Sequence, residues 1–247
     1  MVIAEIGLNH LGEYKLALEY LDVLLDTNVD GIEFQVRDTE FYLNPKKKDL
    51  ELSYDSYTKL ASIIKSKGKN FGVALTDITK IDFFEQIETD FYKIIINDIK
   101  NRPLVESLCK TGKKILVSTG LSSDKDIKLF IEWASKYDNI VLNHTQLSNN
   151  PVECNLKAIQ YMKQRYNVPI SYGSHCNNHN VLYMALCFEP SDIMFYVKKD
   201  SNVKYPDDSH AILLEDVSDI IDNIKLLSNS VGVGNKEKMD NKLKESK

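Results

Sequence analysis

The 247-residue chain has only four cysteines, Cys109, Cys154, Cys176 and Cys187, and no two of them form a C-x-x-C pair. That spacing argues against a zinc knuckle and supplies no disulfide framework, so reduced thiols and a cytoplasmic location are expected. No stretch approaches the ~18 consecutive apolar residues of a membrane-spanning helix, so no membrane association is expected. The N-terminus enters an apolar run at Val2 without a basic segment ahead of it, so no signal peptide is expected. Basic residues are not in excess: 31 Lys and Arg stand against 36 Asp and Glu, a formal charge of −5. Electrostatics therefore selects neither nucleic acid nor an anionic membrane as a partner.

What is present is alternation. Short apolar runs, "VIAEI" (2–6), "GIEFQV" (31–36), "NFGVAL" (70–75), "FYKIII" (91–96), "KILVS" (114–118), "NIVLN" (139–143), "VPISY" (168–172) and "DIMFYV" (192–197), read as strands. Amphipathic stretches between them read as helices near 14–27, 54–67, 79–89, 102–111, 123–137, 153–166, 178–187 and 213–228. Ser122, Ser123 and Asp124 supply a helix start, and Gly68 and Gly112 supply stops. Eight even strand–helix units, in a length close to the ~250 residues of one (β/α)₈ barrel, predict a single closed TIM barrel over 1–230. Two segments fall outside the units. Residues 37–56 read as a long loop with a solvated Lys46–Lys48 run, and residues 231–247 read as a disordered polar tail.

In such a barrel the strand C-terminal ends build the active site. The polar residues fall there: Glu5, Asn9 and His10 after strand one; Gln35, Arg37 and Asp38 after two; Asp98 after four; Ser118 and Thr119 after five; His144 after six; Ser174 and His175 after seven.

The segment "IAEIGLNHLGEYKLALEYLD" resembles the start of the sialic acid synthase (N-acetylneuraminate synthase) barrel, roughly A-E-I-G-x-N-H-x-G. "GIEFQ" is similar to its V-K-F-Q strand, "YKIIINDIKNRPLVESLCKTGKKILVSTGLSS" to its strand four to strand five stretch, and "VLNHTQ" and "NLKAIQYMKQRYNVPISYGSH" to the two that follow. The likeness runs to about residue 230 and stops before the family's C-terminal antifreeze-like domain. It implies condensation of phosphoenolpyruvate with an amino-sugar aldehyde, a divalent metal (manganese or magnesium) as Lewis acid, a small-molecule sugar substrate and a homodimer. Carried over residue by residue, it makes Glu5, His10 and His144 catalytic candidates. It makes Asn9, Gln35, Lys93, Asp98, Ser118, Thr119 and His210 substrate-binding candidates, and His175 a metal ligand. His10 and His144 also read as residues that hold loops. Lys93 reads as an anion binder, with a Schiff-base role as the alternative.

The departures concern donor and metal. The family's strand-two lysine is Glu33, its strand-four serine is Ile96, and its S-D-H is Gly173, Ser174 and His175. Its strand-eight glutamate and second metal histidine align with Phe195 and Val197, and its P-D-H-A becomes "PDDSHA". Glu33 and Asp208 are carboxylates that could bind substrate or complete a different oxygen-rich site. The reading is a synthase-like enzyme of nonulosonic acid biosynthesis. Two alternatives stay open: a diverged barrel with another aldol, lyase or isomerase step on a sugar, and a non-catalytic paralogue that serves as a binding partner.

Overall fold

Strand β1 (Val2–Gly7) pairs in parallel with β2 (Gly31–Val36) on one side and with β8 (Ile193–Lys198) on the other. Between them run β3 (Asn70–Leu75), β4 (Phe91–Ile94), β5 (Lys114–Ser118), β6 (Ile140–His144) and β7 (Ile170–Ser174), each beside its sequence neighbours. The β1–β8 pairing closes the sheet. The architecture is a (β/α)₈ TIM barrel, seen in a computed structural model that describes residues 1–232 and 234–235. The tail from 236 onward lies outside the described residues.

The helices are α1 (Tyr14–Leu24), α2 (Thr39–Leu43), α3 (Tyr54–Ser66), α4 (Ile81–Gln86), α5 (Arg102–Cys109), α6 (Asp124–Ala134), α7 (Lys157–Arg165), α8 (Asn180–Leu186) and α9 (Leu214–Ser230). The starts of α2, α3, α5 and α6 follow from side chains that satisfy the first free N–H groups. Ser53 accepts from Ser56 N at α3, and Ser123 forms a reciprocal capping box with Asp126 at α6. The expected long loop at 37–56 is broken up. Asp38 Oδ1 accepts from Phe41 N at 2.8 Å and nucleates α2, and a 3₁₀ turn follows at Lys48–Leu50. Strand β4 ends earlier than expected, because Ile96–Lys100 turns into a 3₁₀ helix. The helix expected at 153–166 starts only at Lys157, after a 3₁₀ turn at Pro151–Glu153. A two-residue strand, β9 (Ile212–Leu213), adds to β8.

Strand alternation sorts the side chains. Residues such as Ala4, Ile6, Ile32, Phe34, Phe195 and Val197 point outward into the core under the helices. Ile3, Phe91, Leu116, Val141 and Met194 form a separate buried cluster inside the barrel floor. Phe91 plugs that floor over Gly72, where an added Cβ would lie 2.0 Å from the ring. Two residues beyond these five on the same strands stand polar side chains, Glu5, Lys93, Ser118, Asn143 and Tyr196.

Candidate active site

Above the apolar floor, β1 and β2 place Glu5 and Glu33 opposite each other in register, and β1 and β8 do the same for Glu5 and Tyr196. Lys93 reaches in from β4. Its ammonium donates to the Glu5 carboxylate and lies 3.6 Å from Glu33 Oε1 and 5.4 Å from the Tyr196 ring centroid. All four side chains are buried. Burial opposes the Lys93 ammonium, but the two carboxylates outweigh it and its pKa is raised. Glu33 is different: neither of its carboxylate oxygens has a hydrogen-bond partner. Burial pushes its pKa well above the usual carboxylate range, against the pull of Lys93.

A second group closes over this centre from the β7 and β8 loops. His175 and His210 lie with ring centroids 4.6 Å apart, and both pack on Tyr196, at 5.5 and 4.9 Å. His175 Nδ1 meets Thr145 Oγ1 at 2.8 Å. Burial lowers His175 to about 4 and His210 to about 3, so both imidazoles are neutral near pH 7. Asp207 completes the group, 4.0 Å from His210 Nε2. Burial, then the charge of Glu5, pushes its carboxyl up to about 7. Gly7 makes this approach of loop to strand feasible. A Cβ there would stand 2.9 Å from the Tyr196 ring and 3.2 Å from Asp207 Oδ2, and its φ of +57° suits glycine.

The expected site residues divide. Glu5, Glu33, Lys93, His175 and His210 converge at the barrel centre and mouth, and Gln35 and Ser118 lie on the same inward stripes. His144 does not join them. Its strand parity turns it outward, where Nε2 meets Cys154 O at 3.1 Å and burial lowers its pKa. With Thr119 it lines a side cavity of about 200 Å³ between α6 and α7. His10 lies beside Phe34 in the turn after β1. Its Nδ1 accepts from Gly12 N at 2.9 Å, and burial lowers it to about 3. Asn9 is a brace: its Nδ2 donates to Val197 O at 2.8 Å and its Oδ1 accepts from Asp207 N at 3.1 Å. Asp98 sits in the 3₁₀ turn near Arg37 and Asp38, with its pKa raised by burial. Asp208 is engaged by Lys198 at 2.8 Å, and with His210 it lines a second cavity of about 250 Å³.

Asp207 is the aspartate kept in "PDDSHA", to which the sequence assigns no role, and Tyr196 is a participant that the motifs do not mark. The signal for Tyr196 was the parity of β8. Aligning the family's strand-eight ligands with Phe195 and Val197 is off by one residue in orientation, because both face the outer core. The positions that face the mouth are Tyr196 and Lys198, and neither is a usual ligand for manganese or magnesium. Among the described residues no three His, Cys, Asp or Glu side chains are grouped to hold an ion. The donor set does not fit the divalent metal that the resemblance implies.

A closed parallel barrel with a buried Glu–Lys–Glu centre and its polar residues at the strand C-terminal ends belongs to the TIM-barrel class with a site at its usual face. The chain belongs to the NeuB family, whose model matches residues 15–236. An uncharacterized protein of Methanocaldococcus jannaschii is 28% identical to it, over 95% of this chain and 73% of that protein. The N,N'-diacetyllegionaminic acid synthase of Legionella pneumophila is 26% identical, over 98% of this chain and 76% of that enzyme. The crystal structure of N-acetylneuraminic acid (sialic acid) synthetase from Leptospira borgpetersenii, in complex with citrate, superposes with a TM-score of 0.90 at 24% identity. It covers 99% of this chain and 89% of that one, and the likeness is one of fold. No helix among the described residues is long and apolar enough to cross a membrane.

Proposed function

We propose that the chain is a synthase-like enzyme of nonulosonic acid biosynthesis that joins a three-carbon donor to an amino-sugar aldehyde. The observation that carries this reading is the Glu5–Lys93 ion pair beneath Asp207 in a NeuB-family barrel. The donor's C=C electron pair forms the new carbon–carbon bond and moves the aldehyde's C=O pair onto oxygen, which then needs a proton. With phosphoenolpyruvate as donor, water adds at the donor's C2 and inorganic phosphate leaves. Asp207, half-protonated near neutrality, is suited to deliver it. Lys93 and Glu5 orient the reacting groups. No step is assigned to a metal, since the donor set does not fit one.

Glu33 favours a second reading, a barrel whose donor has changed. The family's cation at this place has become a carboxyl group. Burial pushes that carboxyl's pKa up and so weakens the charge reversal that the donor would meet there. The test is incubation with phosphoenolpyruvate or pyruvate and a panel of amino sugars, with mass detection of the condensed acid. Product from phosphoenolpyruvate supports the first reading, product from pyruvate alone supports the second, and neither product nor binding would sink both.

A further inference from the structure

The register that sets Glu5 against Glu33 puts two carboxyl groups and one ammonium into a buried space. Glu33 is 1% exposed and neither of its oxygens receives a hydrogen bond, while Lys93 spends its closest contact on Glu5. An ionised Glu33 would be a desolvated anion beside a second anion. A protonated Glu33 removes that penalty and gains an acceptor in the Glu5 carboxylate, its partner in register across β1 and β2.

We infer that Glu33 holds a proton at neutral pH and donates it to the Glu5 carboxylate, so that Glu5 and Glu33 form a one-proton carboxyl pair fastened by Lys93. Glu33 is then a positioning residue: it fixes the charge state of Glu5 and keeps the Lys93 ammonium on it. The Glu5–Lys93–Glu33 unit is electrically neutral as a whole, which lets it sit on the apolar floor of Phe91 and Met194. The other titratable groups facing it are Tyr196 on β8, Asp207 in the loop after β8, His175 after β7 and His210 before β9. Tyr196 stays a phenol because burial and the surrounding carboxyls hold its pKa well up. The two imidazoles are neutral. Among these groups Asp207 is the one that changes charge near neutrality, and the Glu5 charge reaches it.

This inference concerns the resting protein and does not depend on the synthase reading. It is tested by ¹³C NMR on protein labelled at glutamate Cδ, with Glu33 assigned through backbone connectivities so that no variant is required. The expected result is a carboxylic-acid shift for Glu33 at neutral pH. A carboxylate shift there would overturn the proposal. The pairing is tested with Glu5→Gln, which frees Lys93 for Glu33. Glu33 should then ionise at least one pH unit lower than in the wild type. An unchanged Glu33 titration would show that burial alone holds the proton and that no pair exists. Glu33→Gln, isosteric with the neutral acid, should keep the fold and the Glu5–Lys93 contact. Loss of folding by Glu33→Gln with folding kept by Glu33→Asp would also count against the neutral form.

Discussion

His175 and His210 face each other with ring centroids 4.6 Å apart, over a tyrosine that sits in register with Glu5. Two imidazoles at that distance cannot both take a proton without repulsion, and burial already holds each below its ordinary value. The mouth of the barrel is thus neutral on its histidine side and titrates on its carboxyl side, at Asp207.

That division predicts opposite pH dependences. His175, at about 4, and His210, at about 3, bind fewer protons in the folded than in the unfolded chain. Their contribution to stability is present above the unfolded histidine value of ~6.5 and declines as pH falls below it. Asp207, at about 7, binds more protons when folded. Its contribution is present below the unfolded aspartate value of ~3.9 and is lost as pH rises toward 7. Urea denaturation across this range should show that Asp207→Asn falls less in stability than the wild type as pH rises from 5 to 8. A parallel pair of curves would refute the placement of Asp207.

Lys93→Met should destabilise the protein strongly. It leaves the Glu5 carboxylate buried without its cation, a loss of about 3–5 kcal/mol for a broken buried pair. Adding Glu5→Gln to Lys93→Met should recover a large part of that loss, because no buried charge is then left unpaired. Additive effects in the double-mutant cycle would show that the pair is not coupled.

Glu33→Lys should change anion binding. The wild type has one ammonium at the centre, and Glu5 already occupies it. A charge-assisted hydrogen bond contributes roughly 1.5–3 kcal/mol, or roughly ten- to a hundred-fold in affinity. Calorimetry with phosphoenolpyruvate should find weak binding to the wild type and tighter binding to Glu33→Lys by a factor in that range. Tight binding by the wild type would restore an unmodified donor site.

Metal analysis of dialysed protein should find manganese or magnesium well below one ion per chain. Among the described residues no three His, Cys, Asp or Glu side chains around His175 are placed to hold an ion together, and its Nδ1 is engaged by Thr145. Stoichiometric manganese lost in His175→Ala would show that His210 or Asp207 rearranges to complete a site.

The sequence by itself determined the barrel. Eight apolar runs alternating with eight amphipathic stretches leave few other ways to bury both faces of the strands. It also marked the strand C-terminal ends as the place of the site, and its motifs carried the family. It could not decide which way each strand-end side chain points, because one residue of register turns a side chain from the mouth to the outer core. Hence Val197 and His144, which looked like site positions, face outward, while Tyr196 faces the centre. Nor could it decide charge. Glu33 reads as an anion in a line of letters and becomes a neutral acid only where β1, β2 and β4 bury it beside Glu5 and Lys93. Asp207, at about 7, and its neighbour Asp208, held by Lys198, are alike in sequence. Only the fold of the loop between β8 and β9, which brings Asp207 into the field of Glu5 and Asp208 against Lys198, gives them different chemistry.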